Sequence, residues 1–292
     1  MILFTGSTGF VGASLLNYFG PANTIAHKRG DSLNFISAPI FIHLAGKSCD
    51  KKKVLNPQVY YEVNTDFTKK VFDAFLNSDA KVFITLSSVK AVADEINEVL
   101  TEETIANPVS FYGKSKLFAE QYILSKKIPL GKRVYILRPC MIHGPGNKGN
   151  LNLLFKLVSK GLPWPLGAFE NKRSFCSIDN LLFVFKELVE RDDIPTGVYN
   201  IADDEPLSTN ELIELISNIQ GKKPKIWNIS KRLITFIVKI GDKLNLSLNS
   251  ENLHKLTDSY VVSSAKLKSA LGKNLPVSSR DGLIKTLNSF NS

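Results

Sequence analysis

Cysteine is scarce: Cys49, Cys140 and Cys176 in 292 residues are too few and too scattered for a disulfide framework or a zinc site. No metal is expected, and a reducing compartment fits. No apolar run approaches the roughly 18–20 residues that a membrane-spanning helix needs. The first strand-like run starts at Met1-Ile2, which leaves no room for a secretion signal; a cytoplasmic protein is expected. Internal repeats and low-complexity segments are absent. Acidic residues are in deficit, 27 against 37 basic ones, for a net charge of +10. That balance favours an acidic partner. The lysines are spread along the chain, with no glycine–arginine tail and no basic helix with heptads. A polyanionic small ligand is therefore expected, and nucleic acid is not.

What is present begins with Met1-Ile2-Leu3-Phe4-Thr5-Gly6-Ser7-Thr8-Gly9-Phe10-Val11-Gly12. A short apolar strand runs into three glycines at spacing three and then an amphipathic helix. Gly6 permits a tight turn, Gly9 keeps side chains away from a pyrophosphate, and Gly12 lets helix and strand pack closely. Strand patterns at Ile2–Thr5, Asn23–His27, Ile40–Leu44, Val82–Ser87 and Val134–Arg138 alternate with helical ones at Gly12–Phe19, Tyr60–Ser78 and Tyr112–Ser125. This order predicts an α/β fold with a doubly wound parallel (Rossmann) sheet and a ligand at the carboxyl ends of its strands.

After Pro139 the pattern changes to turn-rich stretches around 144–150 and 161–167. A helix follows at Ile178–Arg191, then a strand at Val198–Ile201 and a helix capped by Ser208 or Thr209. Residues 1–143 plus about 171–201 are expected to bind the dinucleotide. A smaller α/β substrate domain is expected from about 144–170 plus 202–292, with a basic, loop-rich tail from Gly221. Lys231–Leu244 is amphipathic and basic, a pattern that suits a membrane surface. A domain helix with its apolar face turned inward is the simpler reading, so no membrane partner is expected.

Tyr112 and Lys116 are four residues apart, hence on one face of a helix. An ammonium near a phenol lowers its pKa from about 10 toward neutrality. Such a tyrosine can exchange a proton with a sugar hydroxyl while a nicotinamide exchanges hydride. A lone pair of this kind is usually a surface accident; the context here is not. Leu86-Ser87-Ser88 ends a strand upstream, and Arg138-Pro139 ends the next.

With these pieces the chain resembles the extended short-chain dehydrogenase/reductases, specifically the NAD(P)-dependent nucleotide-sugar epimerase/dehydratase family. The other matching pieces are His43-Leu44-Ala45, Asn64 after Glu62-Val63, Gly144-Pro145-Gly146, Arg173-Ser174-Phe175 before Ile178-Asp179, and Tyr199-Asn200-Ile201 before Pro206-Leu207-Ser208. They run in the family's order from residue 1 to about 210; Lys266-Leu267 and Leu271-Gly272 match more loosely.

The resemblance implies that Tyr112 is the acid/base, that Lys116 holds the phenol acidic and bonds the nicotinamide ribose, and that Ser88 bonds the reacting hydroxyl, with Ser87 its neighbouring alternative. It places the cofactor on Gly6, Ser7, Thr8, Gly9, Phe10, Val11 and Gly12, on Leu44, Ala45, Gly46 and Asn64, and on Leu86, Ser87, Arg138 and Pro139. Lys90, Asn147 and Arg173 join Ser88 and Tyr112 as expected substrate contacts, Arg173 at the diphosphate.

The family's 4,6-dehydratases carry an acidic pair after the catalytic hydroxyl residue; here Val89-Lys90 follow, which disfavours dehydration. Cys140 and His143 do not occupy the positions of the cysteine and histidine used in keto-sugar epimerisation, and read as packing or turn residues. What remains is 4-epimerisation or 4-keto reduction of a nucleotide sugar, expected to be a UDP-hexose or UDP-acetamidohexose for surface polysaccharide. No carboxylate ends the second strand, where Lys28 or Arg29 could meet a 2′-phosphate; the cofactor is NAD(P), leaning to NADP. Relatives often dimerise through the tyrosine-bearing helix, so a homodimer is an expected state. The rival reading is a non-catalytic dinucleotide-binding sensor or RNA-associated protein of the same fold; such proteins typically lose the tyrosine or lysine.

Overall fold

The structure is a computed structural model that describes residues 1–27, 38–48, 56–147, 149–243 and 249–290. Its strands are β1 (Ile2–Thr5), β2 (Thr24–His27), β3 (Ile40–His43), β4 (Val82–Leu86), β5 (Arg133–Pro139), β6 (Met141–His143), β7 (Phe175–Ser177) and β8 (Gly197–Ile201). One parallel sheet runs β2-β1-β3-β4-β5-β8, and β6 and β7 pair separately. Strand order reverses beside β1, with Ile2 opposite both Thr24 and Ile40. That switch point opens a crevice at the carboxyl ends of β1 and β3.

The helices are α1 (Phe10–Phe19), α2 (Gln58–Tyr60), α3 (Phe67–Leu76), α4 (Phe111–Leu124), α5 (Asn150–Ser159), α6 (Ile178–Glu190), α7 (Thr209–Ile219), α8 (Lys231–Lys243), α9 (Ser250–Thr257), α10 (Ala265–Leu271) and α11 (Ser279–Asn288). A wide π-type turn, Tyr61–Asp66, joins α2 to α3. The strands are near-continuous apolar runs because both sheet faces are covered. Phe4, Ile42, Ile84 and Tyr135 face α1, α6 and α10 through Leu15, Leu181, Phe185 and Leu267. Leu3, Phe41, Phe83 and Val134, one position away on each strand, face α3 and α4 through Phe72, Phe75 and Ile123.

A separate core gathers α5, α7, α8 and α11 through Phe155, Leu212, Ile216, Val238 and Leu283 around Phe175. Ser208, rather than Thr209, caps α7: its hydroxyl accepts from Glu211 N at 3.0 Å while the Glu211 carboxylate accepts from Ser208 N at 2.7 Å. Beyond Gly221 the domain helix expected over Lys231–Leu244 is present as α8; the rest of the tail, expected to be loop-rich, holds α9 to α11, and α10 packs on β8 of the sheet. Among the described residues no helix is long and apolar enough to cross a membrane.

Candidate active site

The turn between β1 and α1 leaves no room for side chains. Gly6 has φ +75°, in the left-handed region, and a Cβ there would sit 2.5 Å from Ala45 N. A Cβ on Gly12 would sit 2.2 Å from the Gly6 carbonyl oxygen. Gly9 closes the turn, its N–H donating to the Gly6 carbonyl at 3.2 Å. The backbone N–H groups opening α1 are thus presented bare, as a pyrophosphate requires. An open groove of about 690 Å³ runs past this turn between Thr8, Gly9 and Phe10 on one side and Pro145, Gly146 and Asn147 on the other.

Asn64 sits inside the wide π-type turn, buried. Its carboxamide oxygen accepts from Lys47 N at 2.7 Å, and its nitrogen donates to the Lys47 carbonyl at 3.0 Å and to Ser115 Oγ at 2.9 Å. One side chain thereby ties the segment after β3 to α4, one residue before Lys116. A Cβ on Gly46 would approach both Asn64 Oδ1 and Lys116 Nζ to 3.1 Å. Nothing larger than glycine leaves that space open.

α4 starts where Ser110 caps Gly113 N at 3.0 Å, and Asp94 accepts from Val109 N, Ser110 N and the Ser110 hydroxyl at 2.7–2.8 Å. Gly113 lets the helix press on the turn after β4: a Cβ would lie 2.4 Å from the Lys90 carbonyl oxygen. The first turn of α4, with Tyr112, is so brought against the short helical turn Val89–Ala91 that Ser88 caps. Tyr112 is half-buried and its ring meets Tyr60 edge-on at 6.3 Å. Lys116, one turn further on, is buried and donates to the Leu86 carbonyl at 2.9 Å. Burial lowers its pKa to about 8, and the carboxylate of Glu120 works against that fall. His43 is buried between the hydroxyls of Thr5 (2.7 Å) and Thr68 (2.8 Å); burial, then the charge of Lys116, lower its pKa to about 3, so it stays neutral.

Glu120 escaped the sequence reading, although it lies four residues past Lys116 and eight past Tyr112 on the same face. It accepts from the Ser87 hydroxyl and from Arg138, whose Nε is 3.0 and 3.1 Å from the two carboxylate oxygens. The Arg138 guanidinium and the Ser87 hydroxyl are therefore committed beneath the site, while Ser88 is the partly exposed hydroxyl of the two. Asp94 was missed as well; nothing in its sequence context marks a residue that bonds 16 positions ahead.

The glycine turn, Leu44–Gly46, Asn64, Leu86–Ser88, Tyr112 and Lys116 are gathered at one edge of the sheet. The remaining expected residues are spread out. The Lys90 ammonium lies 4.2 Å over the Tyr260 ring and donates to the Asp94 carbonyl. Asn147 braces its own loop, donating to the Ile142 carbonyl at 2.9 Å. Arg173 bonds through its backbone to Leu207 and donates from Nε to the Asp258 carbonyl at 2.8 Å. Pro139 ends β5 opposite Ile201. Lys28 and Arg29 lie outside the described residues. Cys140 is buried, its thiol pKa pushed up by burial, and buried His143 bonds Thr286 at 2.9 Å. His27, which ends β2, is buried and neither ring nitrogen has a partner among the described residues.

Sheet order, bare glycine turn and a buried lysine one helical turn past a tyrosine together define a dinucleotide-binding α/β protein. The chain belongs to the NAD-dependent epimerase/dehydratase family, whose model matches residues 31–202. It is 29% identical to a UDP-glucose 4-epimerase of Vibrio cholerae over 99% of this chain and 95% of that protein. It is 30% identical to the N-acetyl-α-D-glucosaminyl-diphospho-ditrans,octacis-undecaprenol 4-epimerase of Escherichia coli O157:H7, over 56% of this chain and 50% of the other. Among solved structures it resembles a UDP-glucuronic acid 4-epimerase from Bacillus cereus in complex with NAD (TM-score 0.75, 19% identity, 99% of this chain and 98% of that one). It also resembles RMD from Pseudomonas aeruginosa complexed with NADPH (TM-score 0.74, 23% identity, all of both chains).

Proposed function

We propose that the protein is an NAD(P)-dependent enzyme that epimerises, or reduces a ketone, at C4 of a diphosphate-linked hexose or acetamidohexose. The observation that carries this reading is the buried Lys116 ammonium, held against Leu86 and Gly46 one helical turn from Tyr112. A surface pair would have no reason to bury its cation. The bare glycine turn and the space kept open at Gly46 suit a dinucleotide; Gly6, Gly9, Gly12, Asn64 and Lys116 would hold it. A nicotinamide bound there supplies the acceptor and donor of hydride.

The chain's own residues manage the proton. Tyr112 takes the proton from the C4 hydroxyl or returns it to the C4 oxygen. Ser88 bonds that same oxygen. Arg173 would meet the diphosphate as a fork on its oxygens. With Val89 buried and the Lys90 ammonium stacked on Tyr260, neither residue after Ser88 can replace the acid pair of a dehydratase. The full-length likeness to a UDP-glucose 4-epimerase favours a UDP-sugar, while the Escherichia coli relative offers the same diphosphosugar chemistry on a polyprenyl carrier. NADP is the proposed cofactor form, because β2 ends on His27 and not on a carboxylate. A homodimer through α4 is the proposed assembly, Phe111 and Phe118 being exposed on that helix.

The test is a panel of UDP-, GDP- and dTDP-sugars, followed for product and for net oxidation of NADH and NADPH. Epimerisation leaves the cofactor balance unchanged; reduction consumes it. Tyr112→Phe should lower turnover by about 10²–10⁴-fold with cofactor affinity intact. Unchanged turnover in that variant would remove the catalytic assignment.

A further inference from the structure

α8 was expected to turn its apolar face inward, and one face does so: Ile234, Val238 and Gly241 are buried in the second core. The helix has a second apolar face that no described residue covers. Leu233, Phe236, Ile237 and Ile240 stand at positions i, i+3, i+4 and i+7, one continuous ridge, and are 52%, 63%, 40% and 43% exposed. Arg232, Lys239 and Lys243, at i, i+7 and i+11, make a cationic stripe along the ridge's outer edge; all are exposed and have no carboxylate partner among the described residues. Single exposed apolar residues are ordinary, but a contiguous ridge on a chain of this charge is a docking surface.

We propose that α8 docks the protein on an anionic membrane surface, lying in the headgroup plane with the ridge among the acyl chains. Charge selects this occupant. A helix with an apolar face edged by cations suits a surface of anionic headgroups over hydrocarbon. A second copy would set the ridge against itself under two-fold symmetry and bring two cationic stripes together, which is unfavourable. Exposed Trp227, four residues before the helix, is of the type that settles at such interfaces. The ridge also connects to the proposed site: α9 packs on α8, and just beyond α9 the Asp258 carbonyl holds Arg173. Docking rests on the ridge and its cationic edge, and not on the proposed function. Taken with the proposed function, it favours a sugar diphosphate carried on a membrane lipid as the substrate class.

Cosedimentation of the full chain with vesicles tests this, using equal parts phosphatidylglycerol and phosphatidylcholine against phosphatidylcholine alone. The wild type should pellet with the anionic vesicles and be released as salt rises. Phe236→Asp should weaken binding by about tenfold or more. Lys239→Gln and Arg232→Gln should each weaken it about fivefold. All three are surface changes, so their melting temperatures and cofactor affinities should match the wild type. The proposal falls if the wild type stays in solution with both vesicle types, or if Phe236→Asp pellets undiminished. It falls equally if that variant only converts a dimer to a monomer in sedimentation velocity. Because vesicle binding is read without turnover, a chain that binds vesicles yet leaves every sugar unchanged, the nucleotide-linked panel and a polyprenyl-diphosphate-linked acetamidohexose alike, would sink the proposed reaction and not the docking.

Discussion

Helices α4 and α8 both carry cations, and they use them in opposite ways. On α4 the cation is inside. Lys116 is buried, a carboxylate stands four residues away at Glu120, and that carboxylate also neutralises Arg138. On α8 Arg232, Lys239 and Lys243 are outside with no carboxylate partner among the described residues, and the apolar residues beside them are outside too. A buried charge needs a partner because water no longer solvates it; an exposed one can be left for a partner that comes and goes. α4 is thus built to hold one geometry, and α8 to meet something.

The sharpest way to break the α4 side is Glu120→Gln. Arg138 would then be a buried guanidinium without its counter-charge, and denaturant unfolding should show a loss of roughly 3–5 kcal/mol. A loss under 1 kcal/mol would mean that water reaches the pair. On α8, the two apolar faces can be set against each other. Val238→Ala, on the inward face, should cost roughly 2 kcal/mol, since it removes buried methyl groups from a closed core. Ile240→Ala, on the outward face, should change stability by no more than about 0.5 kcal/mol. Equal costs would show that something covers both faces.

The last effect is a matter of pH. Lys116 has a pKa of about 8 in the folded chain against 10.5 when unfolded, because burial disfavours its charged form. The stabilisation that follows is complete above the unfolded value and is lost as pH falls through about 8. The cofactor-free wild type should therefore gain about 1 kcal/mol relative to Lys116→Met on going from about pH 8 to about pH 9. Parallel profiles for the two proteins would place the ammonium in water.

Much of the α4 side was legible in the sequence, because its signals are local. Strands β1 to β5 announce themselves as apolar runs, the glycines by their spacing, and Tyr112 and Lys116 by being four apart. Glu120 was passed over because a glutamate on a helix ordinarily faces water, and only the sheet edge carrying Ser87 and Arg138 shows that this one does not. Asp94 and Tyr260 act through backbone groups distant in sequence, which no spacing encodes. In the tail the amphipathic pattern over Lys231–Leu244 marks α8, whereas α9 to α11 are 7 to 10 residues long and too short for a helical stripe to stand out. Strands β6 and β7, three residues each, are too short to show an alternation.

The wide turn at Tyr61–Asp66 has a consequence for how this stretch tolerates change. Excising one residue just after Asn64 would let the chain resume a regular α-helical spiral. It would also swing Asn64 by about 100° around the axis, away from Lys47 and Ser115, and so unfasten the segment after β3 from α4. Point changes along the outer side of this segment should be absorbed; a shift of phase should not.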